Sequence, residues 1–478
     1  MAHAATTALL VCTGDKVVLP GASDPQPATI AIDTTTGIII DVQHARSGRS
    51  AFPDIPNDQF IDAGDRLILP GLVDAHVHLN EPGRTDWEGF LTGTRAAASG
   101  GVTAVVDMPL NSIPPTTTVP NLEAKRAAAR GQCYTDVAFW GGVIPGNQVG
   151  PIFRIFSFAP SHLKALVDAG VKGFKCFLIE SGVEEFPFVQ EPDLKVAMAE
   201  MQDLPTTLLF HAELDQLPSD QEEHSRSADP TNYQTFLDSR PQRLEADAIS
   251  LITSLQEQFP SLRCHIVHLS AASALPLIRA AKSKKLPLTV ETCFHYLCLS
   301  SQDIPKGHPE FKCCPPIREG VNRDALWEAL IGGDIDCVVS DHSPCVAELK
   351  NLVDRDIMSA WGGISTLGLG LSLLWTEGLK RGVTICQIVD WMGVKTAAHA
   401  NLASTKGQLR VGFDGDFSIW NPDRSFKVTK EGLNFKNKLS PYEGLVLQGR
   451  VEKTYLRGHL VYDAVQGFEG IQPSGKLL

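Results

Sequence analysis

The sequence predicts an α/β fold, a TIM-like (β/α)8 barrel with a small β domain built from both chain ends. Three observations predict it. Short apolar, β-rich runs recur eight times between residues 71 and 342, and amphipathic segments separate them. The two flanks instead carry strand-like pieces broken by Gly, Pro and Asp turns. The length, 478 residues, suits a large α/β core with an accessory domain.

The eight runs are "GLVDAHVH" (71–78), "VTAVVDM" (102–108), "TDVAFWGG" (135–142), "VKGFKCFL" (171–178), "TTLLFHAE" (206–213), "RCHIVHLS" (263–270), "LPLTVETC" (286–293) and "IDCVVSDH" (335–342). Segments such as "DWEGFLTGTRAAASGG", "LEAKRAAARG", "RLEADAISLITSLQEQ" and "RDALWEALIGG" read as the intervening helices, several stopping at glycine. Eight strand–helix units suggest the barrel over residues 70–406. An open, doubly wound sheet has the same rhythm, so the count alone is thin ground for the choice. Residues 1–69 ("DKVVLP", "ATIAIDTTTGIIIDV", "RLILPG") and 407–478 ("GDFSIW", "TYLRGHLVYD") are expected to meet in one β domain.

Composition bounds the function. With 43% hydrophobic and 20% charged residues the chain reads as an ordinary globular enzyme. A net charge of −13 argues against a nucleic-acid or anionic-membrane surface, because phosphates would be repelled. No apolar stretch reaches transmembrane length, and the short apolar run at the start lacks the basic region of a secretory signal. The ending "SGKLL" misses a peroxisomal signal. Eleven cysteines, an odd number without disulfide-scaffold spacing, point to a reducing cytosol.

The chemistry gathers at the ends of the runs. Residues two apart on a strand share a face, so His76 and His78 can reach one point at the barrel mouth. A lone His-x-His is weak evidence, since a solvated strand end looks the same. Here the fourth run brings Lys175, the fifth His211, the sixth His268 and the eighth Asp341, all where such barrels keep their catalytic groups. Each has a bland alternative. His211 alone could be a hydrogen-bonded core residue, and Asp341 in "SDHSPC" could cap a turn. His265, three residues before His268, is expected to face the opposite side and pack toward the helices. His342 should point away from Asp341, and Asp107 should support the neighbouring loop.

Lys175 is the odd member, because a buried ammonium among histidines is unfavourable without a partner. A salt bridge to Glu180 or Glu213 is one solution. The other is chemical: a neutral amine adds carbon dioxide to give a carbamate, an anion able to bridge two cations. His76, His78 and Asp341 would then hold one ion, and His211 and His268 the other. Nitrogen-plus-carboxylate ligation suits zinc, with iron, cobalt and manganese also compatible. Paired cations activate water and polarise a carbonyl, which is the chemistry of hydrolysis.

These residues make the chain recognisable. It resembles the cyclic amidohydrolases of the urease-related superfamily over nearly its whole length, through "GLVDAHVHLNEPGRTDWEGF", "GFKCFL", "HAE", "HIVHLS", "CCPPIRE", "DIDCVVSDHSPC", "SAWGGI", "LSPYEG" and "YLRGHLVYD". The resemblance implies that His76, His78, Lys175 (as N6-carboxylysine), His211, His268 and Asp341 ligate two divalent metal ions. It implies that Asp341 is also the general base and then the proton donor to the leaving nitrogen. A homotetramer and a β-sandwich made from both chain ends are further implications.

Within that family, dihydroorotases usually carry an arginine two residues after His-x-His, gripping the substrate carboxylate. Asn80 stands there in this chain. The aromatic or Met-containing loop and the tyrosine after the lysine that hydantoinases and dihydropyrimidinases usually show are missing from "NEPGRTDWEGF" and "KCFLIE". Allantoin, a neutral hydantoin ring with a ureido arm, is the substrate this leaves. The resemblance assigns the ring amide to main-chain atoms of Cys314 and Gly362, with Cys314 standing where relatives commonly have serine. A hydantoinase or dihydropyrimidinase is the alternative enzyme. A non-catalytic assembly protein of the same fold is the alternative outside enzymes, disfavoured by the complete set of six ligands.

Overall fold

The computed structural model describes residues 8–148, 161–215 and 229–478. The chain opens with five strands: β1 (Leu9–Val17), β2 (Gln26–Asp33), β3 (Ile38–Gln43), β4 (Phe60–Asp62) and β5 (Leu67–Pro70). Nine parallel strands follow. They are β6 (Leu72–Val77), β7 (Val102–Asp107), β8 (Asp136–Phe139), β9 (Gly141–Gly142), β10 (Phe174–Phe177), β11 (Thr207–His211), β12 (Arg263–Ile266), β13 (Leu288–Cys293) and β14 (Cys337–Val339). The chain closes with β15 (Phe417–Lys427), β16 (Val446–Leu456) and β17 (His459–Asp463).

The parallel strands form two sheets in sequential order, β6-β7-β8 and β9 to β14. Apolar side chains fill both faces, which is why the runs read as nearly unbroken hydrophobic stretches rather than alternating ones. Only Trp140 separates β8 from β9. Lys172 N–H donates to Phe139 O at 2.9 Å and Gly141 N–H to Gly173 O at 2.8 Å, so one strand line serves both sheets. At the far edges His78 N–H donates to His342 O at 2.8 Å, and Val77 bridges His342 in parallel.

Helices pack on this strand set, one of them by a clear single stripe. In Arg243–Gln256 the buried positions are Leu244, Glu245, Ala248, Ile249, Ile252, Leu255 and Gln256, the 3.6-residue spacing of an amphipathic helix. The helix Gly320–Gly332 stops where Gly333 takes the left-handed conformation at φ 85°, which a residue without a Cβ adopts cheaply. At the start of Val119–Ala129, the Thr118 hydroxyl accepts from Asn121 N–H. Among the described residues no helix is long and apolar enough to cross a membrane.

The two chain ends meet, because β5 pairs antiparallel with β15. The result is one eight-stranded sheet in the order β17-β16-β15-β5-β1-β2-β3, with β4 beside β1. It keeps a small core of its own, including Leu10, Cys12, Ile30, Ile32, Ile68 and Phe417, distinct from the large one around the parallel strands.

A buried ionic knot fastens the two parts. Lys406 Nζ lies 2.5 Å from Asp136 in β8, 2.7 Å from Asp414 and 2.7 Å from Asp416, while Arg457 NH1 lies 2.5 Å from Asp136. Burial disfavours the Lys406 charge, but the three aspartates outweigh it and raise its pKa. Lys406→Met strands buried carboxylates without their cation. It is expected to destabilise the protein by roughly 3–5 kcal/mol, the scale for breaking one side of a buried ion pair. Urea unfolding of the variant against the parent measures this, and a loss below about 1 kcal/mol would show the knot to be dispensable.

Candidate metal centre

The six residues singled out in the sequence come together at the C-terminal ends of the parallel strands. His76 lies within β6 and His78 just past it; Lys175 is in β10 and His211 ends β11; His268 and Asp341 each lie two residues beyond β12 and β14. All six are buried and line a cavity of about 300 Å³, together with Cys314, Gly362, Asn111, Arg240, Lys312 and Trp361.

They fall into two groups. His76 Nε2 is 3.2 Å and His78 Nε2 is 3.6 Å from Asp341 Oδ1, and one donor atom from each of the three lies within 4.8 Å of the others. Across the cavity His211 Nδ1 sits 3.0 Å from His268 Nε2. Two imidazole nitrogens and a carboxylate oxygen on one side, and two imidazole nitrogens on the other, fit borderline-soft divalent ions.

The electrostatics suit ligands rather than salt bridges. Burial lowers the pKa of His78 to about 4 against the pull of Asp341, and lowers those of His211 and His268 as well. Neutral imidazoles have a lone pair to offer. Burial pushes the Asp341 carboxyl upward, but His76 and His78 prevail and hold it at about 2, so it is ionised. Burial also brings Lys175 down to about 8 although Glu291 and Asp341 resist. Its amine lies 5.1 Å over the Phe177 ring. Among the described residues Lys175 makes no ion pair. Glu213, one of its two candidate partners, is held by Arg240 at 2.5 Å and His211 Nε2 at 2.7 Å, while Glu180 lines the cavity.

Two of the histidines have a carboxylate on the other nitrogen, which sets the tautomer, and a third has an amide there. His211 Nε2 faces Glu213, leaving Nδ1 for the cavity. His76 Nδ1 lies 2.5 Å from Glu291 Oε1, leaving Nε2. The Asn111 amide lies 3.1 Å from His78 Nδ1. These supporting residues were not identified from the sequence. The available signal was a carboxylate inside an apolar strand: Glu291 in "LPLTVETC" and Glu213 after His211 in "TTLLFHAE".

The neighbours divide as follows. Asp107 supports the adjoining loop as expected, accepting from Leu79 N–H at 2.8 Å and pairing with Lys125 at 2.5 Å. His342 turns away from the cavity, accepting at Nδ1 from Thr366 and Leu367 N–H, with Nε2 3.3 Å from Glu88. His265 stacks on His399 of the helix Lys395–His399, with ring centroids 3.6 Å apart. It is not remote from the centre, however, because its Nε2 is 3.1 Å from Glu291 Oε2. Strand alternation from His268 does not carry back to it: β12 ends at Ile266, and His268 has a left-handed φ of 41°.

Cys314 and Gly362 face one another across the cavity wall, so closely that a Cβ on Gly362 would meet Cys314 Sγ at 2.8 Å. Asn80 donates to Pro344 O at 3.3 Å and is not among the cavity's lining residues. Besides Lys175, two basic side chains line it. Arg240 is neutralised by Glu213, and Lys312 donates to Met358 O, with burial lowering its pKa to about 8.

Comparison with known proteins places this geometry. Allantoinase from Saccharomyces cerevisiae is 45% identical over 459 residues, covering 95% of both chains. Allantoinase from Streptomyces avermitilis is 42% identical over 473 residues, 98% of both. Among solved structures, L-hydantoinase (dihydropyrimidinase) from Arthrobacter aurescens superposes with a TM-score of 0.87 at 26% identity, covering 98% of this chain and 99% of that one. The model of the amidohydrolase family matches residues 67–461. Sharing that match and those relatives along almost its entire length, the chain belongs to the amidohydrolase family.

Proposed function

We infer that this chain is a hydrolase that opens the ring amide of allantoin to give allantoate. The observation that carries it is the 45% identity to an allantoinase over 95% of both chains. The reading is supported by a small cavity lined by imidazoles and an ionised aspartate, and by the sequence, where Asn80 stands at the position of a carboxylate-gripping arginine.

His76, His78 and Asp341 would hold one divalent ion, His211 and His268 a second, and Lys175, carboxylated on Nζ, would lie between them. Zinc is the ion that this donor set suits best. When bound, such a pair supplies Lewis acidity toward a carbonyl and lowers the pKa of water. The chain's own groups do the rest. Main-chain atoms of Cys314 and Gly362 hold the ring amide. Asp341 takes a proton from the attacking water as its oxygen bonds to the amide carbon. The same carboxyl then delivers that proton to the ring nitrogen as the carbon–nitrogen bond breaks, so no strongly basic amide anion has to leave.

The architecture that fits these roles is a closed (β/α)8 barrel over residues 70–406, with residues 1–69 and 407–478 folded as one β-sandwich. The hydrogen bonds at His78 and Gly141 support closure, and the pairing of β5 with β15 supports the shared domain. A homotetramer in the cytosol completes the proposal; eleven cysteines, all free, suit a reducing compartment.

The test is a substrate panel on the purified protein. Allantoin should be opened and dihydroorotate left essentially untouched, because an anionic substrate in a closed site needs a paired cation, and Arg240 is already committed to Glu213 and Lys312 to the Met358 carbonyl. Comparable turnover of dihydroorotate would overturn the assignment. Preferential turnover of hydantoin or dihydrouracil would move it to the hydantoinases.

A further inference from the structure

Glu291 touches both halves of the centre from beneath. It is fully buried in β13. Its Oε1 lies 2.5 Å from His76 Nδ1 and accepts from the His268 backbone N–H at 3.2 Å. Its Oε2 lies 3.1 Å from His265 Nε2, and His265 Nδ1 lies 2.7 Å from Thr289 Oγ1. A carboxylate only accepts hydrogen bonds, so both ring nitrogens facing it carry hydrogen. His76 is thereby left with a bare Nε2 toward Asp341, 3.2 Å away. The bond to the His268 amide acts on the backbone instead. His268 sits at φ 41°, a conformation that L-residues with bulky side chains adopt rarely, and that turn aims its ring at His211.

We propose that Glu291 is a positioning residue for both ion positions at once: through one contact it fixes the tautomer of His76 and backs its ring with negative charge, and through another it holds the backbone turn of His268. The inference rests on His76 and His268 being metal ligands, as proposed above. It follows that the two positions are not independent, since one side chain sets the aim of a ligand in each. His265, Thr289 and His399 then form the fixed wall against which that carboxylate is braced.

Two variants separate this role from simple packing. Glu291→Gln has the same size; its amide oxygen can still accept from His76 and His268, and its NH2 can donate to His265 Nε2 once that ring carries its hydrogen on Nδ1, toward Thr289 Oγ1. Only the charge behind His76 is lost. Zinc titrated against a chromogenic chelator should then bind roughly 10–100-fold more weakly at one position, the scale for losing a carboxylate behind a ligating histidine. The thermal melt of the metal-free protein should stay close to that of the parent. Glu291→Met removes all three contacts and should weaken both positions. If Glu291→Gln binds zinc as tightly as the parent at both positions, the inference fails. If the parent itself binds no zinc, the ligand assignment fails instead, and the two failures are told apart within one titration. Should Glu291→Met not fold, Glu291→Gln alone decides.

Discussion

Lys175→Ala is expected to abolish activity and to lose bound metal. Metal polarisation of a carbonyl is worth several kcal/mol, and each ~1.4 kcal/mol is a factor of ten, so the loss should reach roughly 10³-fold or more. The lysine is only 1% exposed, has no carboxylate partner among the described residues, and has a pKa brought to about 8 by burial, so a neutral amine is accessible near neutral pH. Carbon dioxide can add only to that form. A short carboxylic acid supplied to the alanine variant should restore part of both metal and activity by standing where the carbamate stood. Lys175→Arg should be as dead as Lys175→Ala, because a guanidinium stays cationic and takes up no carbon dioxide. Metal content and kcat are measured together. A folded, active arginine variant would remove the bridging role.

Asp341→Asn is expected to keep most of its metal while kcat falls by roughly 10²–10⁴, the usual contribution of a general acid–base group. The substitution is well matched to the site. Asparagine retains a neutral oxygen for the ion, and it tolerates the left-handed backbone, φ 43°, that Asp341 occupies. What it cannot do is accept a proton. The opposing view is that Asp341 serves only as a ligand. In that case activity should follow metal occupancy and recover when excess metal is supplied. A fully metallated variant with full kcat would show that the proton moves by another route.

The sequence made one class of residue readable and hid another. His76, His78, Lys175, His211, His268 and Asp341 were legible because each is a polar group at the end of an apolar run, where burial has to be compensated by function or by a partner. Glu291 and Asn111 were harder to find because their partners are distant in sequence, and Glu213 because a carboxylate two residues after a histidine is unremarkable by itself. Glu291 lies 215 residues beyond His76 in the chain, and only the sheet order brings them together. The expected packing of His265 toward the helices held through His399. Its link to Glu291 was missed because alternation assumes a regular strand, and the chain leaves β12 before His268. The meeting of the two chain ends was readable from their shared β character, whereas the knot of Lys406 with Asp136, Asp414 and Asp416 was not. Lysine and aspartate are common in exposed loops, and nothing local marks these as buried.

The left-handed backbone at His268 and Asp341 has a consequence for anyone wishing to transplant this chemistry. On an ideal parallel strand the direction of a side chain follows from its position counted odd or even. At these two corners the chain breaks that count, and the imidazole and carboxylate are aimed by the turn instead. Copying the six side chains onto a regularised scaffold would therefore reproduce the inventory while pointing two of its members elsewhere. The portable unit is each residue together with its bend, including, for His268, the acceptor on a neighbouring strand that keeps the bend in place.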